Sequence, residues 1–287
     1  MPRRRQPVTV PTDPSLAMTR PFSARLSDAV RSAGAPLCVG LDPDPDRLPS
    51  ALGETSLEDR VRSFCFAITE STASVAAAFK PNLAFFEALG RDGWAVLDDV
   101  CDRVRQSGRL LVLDGKRGDI GNTGRRYAAA LYDRLGGDAS TVAPYMGRDS
   151  IAPFVEHTGR CAFVLVATSN PGAADVQQRV SDGLPLYRHV ADEAVRAGTG
   201  LDGEVGFVAG ATRPAVLAGL REAHPDVPFL VPGVGAQGGS VAEVLAANAG
   251  GPLLVNSSRS ILYASAGADF ARAAADQATA LADTLRA

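Results

Sequence analysis

The sequence predicts a single (β/α)8 TIM barrel with parallel strands, and three observations favour this α/β fold class. Apolar, β-branched runs alternate with amphipathic segments rich in Ala, Arg and Glu, a pattern typical of parallel strands joined by right-handed helical crossovers. Eight such runs fit into 287 residues, which is the length of one barrel domain. No Gly-rich dinucleotide-binding fingerprint follows the first run, which argues against an open doubly wound sheet.

The predicted elements follow one another along the chain after an irregular start. Residues 1–20 are rich in Pro, Arg and Thr without periodicity, which predicts a flexible N-terminal extension before a barrel domain at 21–287. Strands are predicted at 37–41, 76–80, 110–114, 140–143, 162–167, 205–209, 229–231 and 253–256. Helices are predicted at 58–71, 93–106, 124–135, 186–197, 215–223, 240–247 and 268–286.

Composition excludes several classes of partner. The net charge of -3 and the isoelectric point near 5.7 give no sign of the excess positive charge that binds nucleic acid or an anionic membrane. No apolar stretch approaches the ~20 residues that a membrane span needs. Four cysteines are scattered singly, without the spacing of metal ligands: Cys38, Cys65, Cys101 and Cys161. They predict reduced, buried thiols in a cytoplasmic protein without a bound metal.

Polar side chains stand where the predicted strands end. In a barrel of this kind the carboxyl ends of the strands form the functional mouth. Asp42, Lys80 and Asp114 close the first three strands, and Lys116 follows two residues after Asp114. Later strand ends carry polar or Gly-rich groups at 168–170, 233–237 and 257–259. We therefore expect these separate segments to meet at one site.

Lys80 and Lys116 are the only lysines in a chain with 27 arginines. The pKa of a lysine can be tuned, whereas arginine hardly releases a proton, so the two retained lysines point to a catalytic ammonium. Asp114 and Lys116 are two apart at a strand end, which predicts side chains on the same face. An accident of composition and a structural ion pair remain alternatives. Burying several charges for structure alone is costly, which favours a lysine held charged and able to donate a proton.

Several sequence blocks resemble one known family. Residues 114–123 read Asp-Gly-Lys-Arg-Gly-Asp-Ile-Gly-Asn-Thr, which resembles the signature of the orotidine 5′-phosphate decarboxylases. The resemblance extends over most of residues 36–262 and includes the blocks at 40–43, 79–82, 168–172, 232–239 and 258–261. Extra segments around 44–59 and 176–185 are similar to the longer bacterial branch of the family.

The resemblance implies a reaction without a cofactor or metal. Orotidine 5′-monophosphate would lose its carboxylate as carbon dioxide and become uridine 5′-monophosphate. The electron pair left behind lies in the ring plane, where the pyrimidine carbonyls cannot delocalise it, so the protein must stabilise this carbanion electrostatically. By the family pattern, Lys116 supplies the ammonium and then the proton, and Asp114 lies beside the substrate carboxylate. Lys80 and Asp42 hold the ribose hydroxyls.

The resemblance also implies how the phosphate and the base are bound. Arg259 can bind a phosphate through two parallel hydrogen bonds, and a late strand-end loop is the usual phosphate site in such barrels. Ser258 stands beside it, and the Gly-rich segment with Gly235 exposes backbone amides to the same anion. Gln237 would reach over the phosphate, and Ser169 would contact the pyrimidine.

The family pattern also implies that a neighbouring subunit contributes to each active site. Asp119 is counted among the catalytic residues, and Ile120 and Thr123 among those that bind substrate. All three would enter the site of the partner, so the expected form is a homodimer with shared active sites.

Three other functions compete with this interpretation. Magnesium-dependent sugar-phosphate decarboxylases and synthases share the Asp-x-Lys-x-x-Asp run, but their second strand ends in an acidic residue where this chain has Lys80. A Schiff-base aldolase needs a neutral lysine, whereas flanking carboxylates favour the charged form. A non-catalytic nucleotide-binding barrel would keep Arg259 and the glycines but has no need for two carboxylates around a lysine.

Overall fold

Residues 19–234 and 238–286 are described by the computed structural model, and their main feature is a closed barrel of eight parallel strands. In chain order the strands are β1 (Leu37–Leu41), β2 (Ala78–Pro81), β3 (Leu110–Arg117), β4 (Ala139–Val142), β5 (Cys161–Ala167), β6 (Val180–Ser181), β7 (Leu184–Pro185), β8 (Glu204–Ala209), β9 (Phe229–Pro232) and β10 (Leu253–Ser257). Around the barrel their order is β1-β10-β9-β8-β5-β4-β3-β2, whereas β6 and β7 form a separate antiparallel hairpin. The predicted fold class is confirmed.

Helices cover the outside of the barrel. In chain order they are α1 (Phe22–Ala33), α2 (Leu57–Thr72), α3 (Leu83–Glu87), α4 (Gly93–Gln106), α5 (Gly121–Ala129), α6 (Ala152–Val155), α7 (Ala173–Val176), α8 (Leu186–Gly198), α9 (Pro214–Ala223), α10 (Val241–Asn248), α11 (Arg259–Leu262) and α12 (Phe270–Arg286). Short 3-10 turns lie at Pro45–Arg47, Ser50–Leu52, Gly90–Asp92 and Arg148–Ser150, and a π-helical turn follows α5 at Ala130–Arg134. Among the described residues, no helix is long and apolar enough to cross a membrane.

The structure departs from the predicted elements in several places. α5 starts three residues before its predicted beginning and gives way to the π turn. β3 continues past Asp114 to Arg117 through an irregular register. The β6–β7 hairpin and five helices were not predicted: α1, α3, α6, α7 and α11. Residues 1–18 of the predicted extension lie outside the described residues.

α1 closes the barrel at the amino ends of the strands. Its first residue, Phe22, is fully buried and packs edge-on against Phe163 of β5, with ring centroids 5.7 Å apart. Arg25 forms an ion pair with Asp138 at 2.8 Å just before β4, and the Ser23 amide donates to the Glu204 carboxylate at the start of β8. The closed lower end leaves the opposite end of the barrel as the open mouth.

Arg221 stabilises the same lower end. It is 4% exposed, and its guanidinium lies over the Phe229 ring at 3.7 Å. It donates to the side chain of Asn248 and to the carbonyls of His224, Pro225, Val227 and Pro252 at 2.7–3.2 Å. Burial lowers the pKa of Arg221 to about 10. This one cation therefore ties α9 to the segments that lead into β9 and β10.

Replacing Arg221 should destabilise the barrel. Arg221→Met leaves these buried carbonyls without their donor, so we expect the free energy of unfolding to fall by about 3 kcal/mol. Urea unfolding followed by circular dichroism measures the change. Arg134→Met is the matched control, because Arg134 is 72% exposed in its pair with Asp98 and should cost less than about 1 kcal/mol. Equal effects of the two substitutions would contradict the role given to Arg221.

Candidate active site

Strand ends bring polar side chains to one cavity at the mouth of the barrel. Its volume is about 170 Å³. The lining residues are Asp42, Lys80, Asn82, Asp114, Pro232, Gly233, Val234, Asn256, Ser257, Ser258 and Arg259. They come from β1, β2, β3, β9 and β10 or from the residues that follow these strands. Asp42, Lys80, Asp114 and the Ser258–Arg259 pair thus meet as their strand-end positions predict.

The carboxylate of Asp114 lies between the two lysines. Lys80 Nζ donates to Asp114 Oδ2 at 2.6 Å, and Lys116 Nζ donates to Oδ1 at 2.6 Å. The side chains of Asp114 and Lys80 are only 9% and 5% exposed, whereas that of Lys116 is 51% exposed. One ammonium is therefore buried with the carboxylate, and the other opens toward solvent at the mouth.

Electrostatics keep the buried pair charged. Burial by itself raises the pKa of Asp114, but Lys80 and Lys116 outweigh it and hold that pKa well below its usual value. Burial likewise lowers the pKa of Lys80, and the carboxylates of Asp114 and Asp42 overcome it and raise that pKa above its usual value. The site therefore keeps both groups ionised at neutral pH.

A bulge in β3 places Lys116. Leu113 pairs with Ser140 of β4, but the next pair in the register joins Arg117 to Val142, so the three residues between them face Thr141 alone. Lys116 has a φ of 46°, a left-handed conformation that is uncommon outside glycine. Regular strand spacing predicted that Asp114 and Lys116 share a face; the structure brings them together through this bulge instead.

Thr141 is a site residue that the sequence analysis missed. It is 2% exposed. Its hydroxyl accepts the backbone N–H of Lys116 at 2.9 Å and donates to Asp114 Oδ1 at 2.9 Å. The one sequence signal was a hydroxyl in the predicted strand at 140–143, which does not identify a partner on another strand.

Tyr263 anchors the turn that carries Asp42. Its hydroxyl donates to the Asp42 carbonyl at 2.9 Å and accepts the Asp44 N–H at 2.6 Å, while the Arg47 guanidinium lies 3.9 Å from the ring centroid. Asp42 Oδ1 is buried, and no described group forms a hydrogen bond with it. Because a buried acceptor without a donor is costly, this oxygen is suited to a ligand hydroxyl. Tyr263 was not predicted to belong to the site.

β1 and β10 approach closely at Gly40. A Cβ atom at Gly40 would lie 1.9 Å from Ser258 Oγ, so only glycine lets Ser258 occupy this position. Asn256, a further lining residue that was not predicted, donates from Nδ2 to Ser258 Oγ at 3.3 Å. Arg259 begins α11, and its side chain is exposed at the rim. The predicted phosphate residues Ser258 and Arg259 therefore lie on the β10 side of the cavity.

Asp119, Ile120 and Thr123 do not line the cavity of their own chain. Asp119 Oδ1 accepts the Ile120 N–H at 2.8 Å, and in the described ranges no ion pair joins Asp119 to Lys116. Ile120 is 51% exposed, and Thr123 is exposed on α5. Ile120 and Thr123 are therefore exposed to solvent, and Asp119 is half-buried.

Of the remaining predicted residues, Ser169 follows β5. Ser169 is half-buried beside Gly210, where a Cβ atom would lie 2.8 Å from the Ser169 amide nitrogen. The preceding residue, Thr168, is held by Gln177, whose side-chain oxygen accepts the Thr168 N–H at 2.9 Å. Gly235 and Gln237 lie outside the described residues.

The chain is similar to known proteins along most of its length. Residues 35–274 match the model of the orotidine 5′-phosphate decarboxylase / HUMPS family. The orotidine 5′-phosphate decarboxylase of Roseiflexus castenholzii is 47% identical over 255 residues, which cover 88% of this chain and 92% of the relative. That of Variovorax paradoxus is 44% identical over 275 residues, covering 93% and 98%. The solved OMP decarboxylase of Leishmania donovani has a TM-score of 0.78 and 36% identity, covering 93% and 99%.

The stability that Asp114 contributes should depend on pH in a defined way. The pKa of Asp114 is depressed in the folded protein, so its contribution is present above the unfolded value near ~4 and lost as the pH falls through the folded value. The pKa of Lys80 is raised, so its contribution is present below the unfolded value near ~10.4 and lost only as the pH rises through the higher folded value. The stabilisation is therefore flat between about pH 5 and about pH 9.

Asp114→Asn tests this window, because it leaves Lys80 without its nearest counter-charge. The free energy of unfolding, measured with urea, should fall by about 3 kcal/mol at neutral pH, and the difference from wild type should shrink below about pH 4. Asp98→Asn in the surface pair with Arg134 is the control, with an expected change under about 1 kcal/mol. A difference that already declines between about pH 7 and about pH 5 would show that the lysines do not hold Asp114 ionised.

Proposed function

The chain belongs to the orotidine 5′-phosphate decarboxylase / HUMPS family, and we propose that it converts orotidine 5′-monophosphate to uridine 5′-monophosphate in de novo pyrimidine biosynthesis. It is a decarboxylase and therefore a carbon–carbon lyase. The observation that carries the proposal is the Lys80–Asp114–Lys116 cluster at the mouth. The four cysteines, all unpaired and buried, support a cytoplasmic location.

Lys116 is the proposed source of both charge stabilisation and the proton. Breaking the bond to the carboxylate leaves an electron pair on a ring carbon, and conjugation does not delocalise it. An ammonium fixed beside that carbon lowers the energy of the developing negative charge. The Nζ atom of Lys116 is held by Asp114 at 2.6 Å, yet the side chain opens to the mouth. When the bond to the carboxylate breaks, carbon dioxide leaves, and the Lys116 ammonium then gives its proton to the electron pair on the ring carbon as a general acid.

Asp114, Lys80 and Asp42 complete the proposed catalytic side of the site. The ionised Asp114 carboxylate orients Lys116 and lies beside the substrate carboxylate. Lys80, charged and buried, fixes Asp114 from the opposite side and donates to a ribose hydroxyl. Asp42 accepts from a ribose hydroxyl through its buried Oδ1 atom, which forms no hydrogen bond with any described group.

The substrate phosphate is proposed to bind on the β9–β10 side of the cavity. Arg259 at the rim supplies a planar cation that suits phosphate oxygens, and Ser258 adds a hydroxyl. Gly235 and Gln237 belong to the same proposal through the resemblance of the 232–239 block to the family. Ser169, at the end of β5, is proposed to contact the pyrimidine.

The active form is proposed to be a homodimer with shared sites. Asp119, Ile120 and Thr123 do not line the cavity of their own chain, and Ile120 and Thr123 are exposed, which supports a role in a neighbouring site. Large apolar side chains are exposed on the same segment and on the one that follows β4: Ile120, Tyr127, Tyr145 and Met146. Such side chains on adjacent segments favour contact with a second copy of the chain.

Turnover of orotidine 5′-monophosphate by metal-chelated enzyme tests the reaction. We expect the substrate absorbance to decay in the wild type and kcat to fall about a thousandfold or more in Lys116→Ala, because the charge and the proton donor are lost together. Lys116→Arg keeps a cation but not a tunable acid and should also be nearly inactive. Arg134→Met is the surface control and should match the wild type. A folded wild type without turnover, or one that needs added magnesium, would overturn the proposal.

Mixing two inactive variants tests the shared site. Lys116→Ala and Asp119→Ala chains that exchange freely should form mixed dimers in half of the cases, each with one intact site, restoring about one quarter of the wild-type sites. Activity is measured after proven subunit exchange. If the mixture stays as inactive as its parents, Asp119 acts within its own chain and the shared site is wrong.

A further inference from the structure

We propose that Thr141 is a positioning residue for the decarboxylation, acting through Lys116 and Asp114 without touching the substrate. The inference deepens the proposed function and rests on it. Its basis is the bulge of β3, where one residue of β4 faces three residues of the neighbouring strand. That single residue carries a hydroxyl, and the hydroxyl is bonded to both members of the catalytic pair.

The bulge creates a need for a side-chain acceptor. A regular parallel ladder would satisfy the Lys116 N–H with a carbonyl of β4. Here the backbone of Lys116 has turned into the left-handed region, with a φ of 46°, and its N–H points to Thr141 Oγ1 at 2.9 Å. Such a conformation persists only where the surroundings hold it.

The direction of the two hydrogen bonds follows from their partners. The Lys116 amide can only donate, so Thr141 Oγ1 accepts there. The hydroxyl proton is then directed to Asp114 Oδ1 at 2.9 Å, and an ionised carboxylate can only accept. Asp114 Oδ1 therefore receives both the Thr141 hydroxyl and the Lys116 ammonium, while Oδ2 receives Lys80.

Thr141 in this way fixes Lys116 at both ends. The backbone end is held by the hydrogen bond from the Lys116 amide to Thr141. The ammonium end is held by Asp114, and Thr141 helps to fix the position of Asp114 through its own hydrogen bond. The stem between them is half exposed and has several rotatable bonds, so the two ends determine where the ammonium points. Since Lys116 Nζ must face one ring carbon, a shift of about 1 Å at either end would cost rate more than substrate affinity.

Three variants separate this role from ordinary packing. Thr141→Val keeps the shape and removes the hydroxyl; Thr141→Ser keeps the hydroxyl. Ser140→Ala is the matched control, because Ser140 is the adjacent buried residue of β4, with a hydroxyl bonded to Tyr132 on the other face of the strand at 2.7 Å. Steady-state decarboxylation kinetics and thermal midpoints are measured for each.

The expected result is a split between kcat and KM. Thr141→Val should lower kcat about tenfold or more with KM changed less than about threefold, since a hydrogen bond to a charged catalytic group is lost. Thr141→Ser should restore most of kcat. Ser140→Ala should lower the thermal midpoint but leave kcat of the folded enzyme unchanged. A Thr141→Val enzyme with wild-type kcat, or a serine variant no better than valine, would overturn the inference.

Crystal structures of wild type and Thr141→Val give a readout that does not depend on turnover. A Lys116 that leaves the left-handed region or loses its contact with Asp114 in the variant supports the positioning role. An unchanged Lys116 backbone and an unchanged Nζ–Oδ1 distance overturn it. If the wild type itself does not act on orotidine 5′-monophosphate, the proposed function fails, and these structures still decide whether Thr141 holds Lys116.

Discussion

The mouth of the barrel depends on one carboxylate. Asp114 is almost entirely withdrawn from water, and burying an ion is stable only when its oxygens keep strong donors. Its two oxygens receive one ammonium each, and Thr141 adds a hydroxyl. The ends of neighbouring strands must therefore lie at the same level of the barrel. In addition, β3 must bulge so that the Lys116 side chain turns back toward Asp114. Asp42 Oδ1 and the exposed part of the Lys116 side chain can still form hydrogen bonds, and these are available to a substrate.

The two ends of the barrel have separate tasks. At the lower end, Phe22 of α1 plugs the interior, and Arg221 saturates the carbonyls that lead into β9 and β10. At the mouth, charged groups and polar groups with unused hydrogen-bonding capacity are held by hydrogen bonds, such as that of Tyr263 with the carbonyl of Asp42. The lower end can supply stability because it takes no part in the chemistry, which is the usual division in barrels of this class.

The sequence was sufficient for the barrel and the family, because strand alternation and the blocks that resemble the family are local patterns. α1 was missed although Phe22, Leu26 and Ala33 have helical spacing; only the contact of Phe22 with Phe163 depends on a distant segment. The bulge at Lys116 was missed because a register shift depends on how two strands pair and is not visible in the sequence of either strand alone. Thr141 and Tyr263 were missed for the same reason: their contacts join segments far apart in the chain. Asp119, Ile120 and Thr123 do not line the cavity of their own chain, and their part in a neighbouring site stays a prediction.

The scarcity of lysine has a consequence for chemical modification. Lys80 is 5% exposed and Lys116 is 51% exposed, and the chain has no third lysine. Apart from its α-amino group, the protein therefore offers one accessible primary amine to acylating reagents, and that amine lies in the mouth. An amine-directed label or support would attach at the one position where attachment blocks the barrel. An electrophile directed to the mouth would therefore react at Lys116 without competition from another accessible lysine.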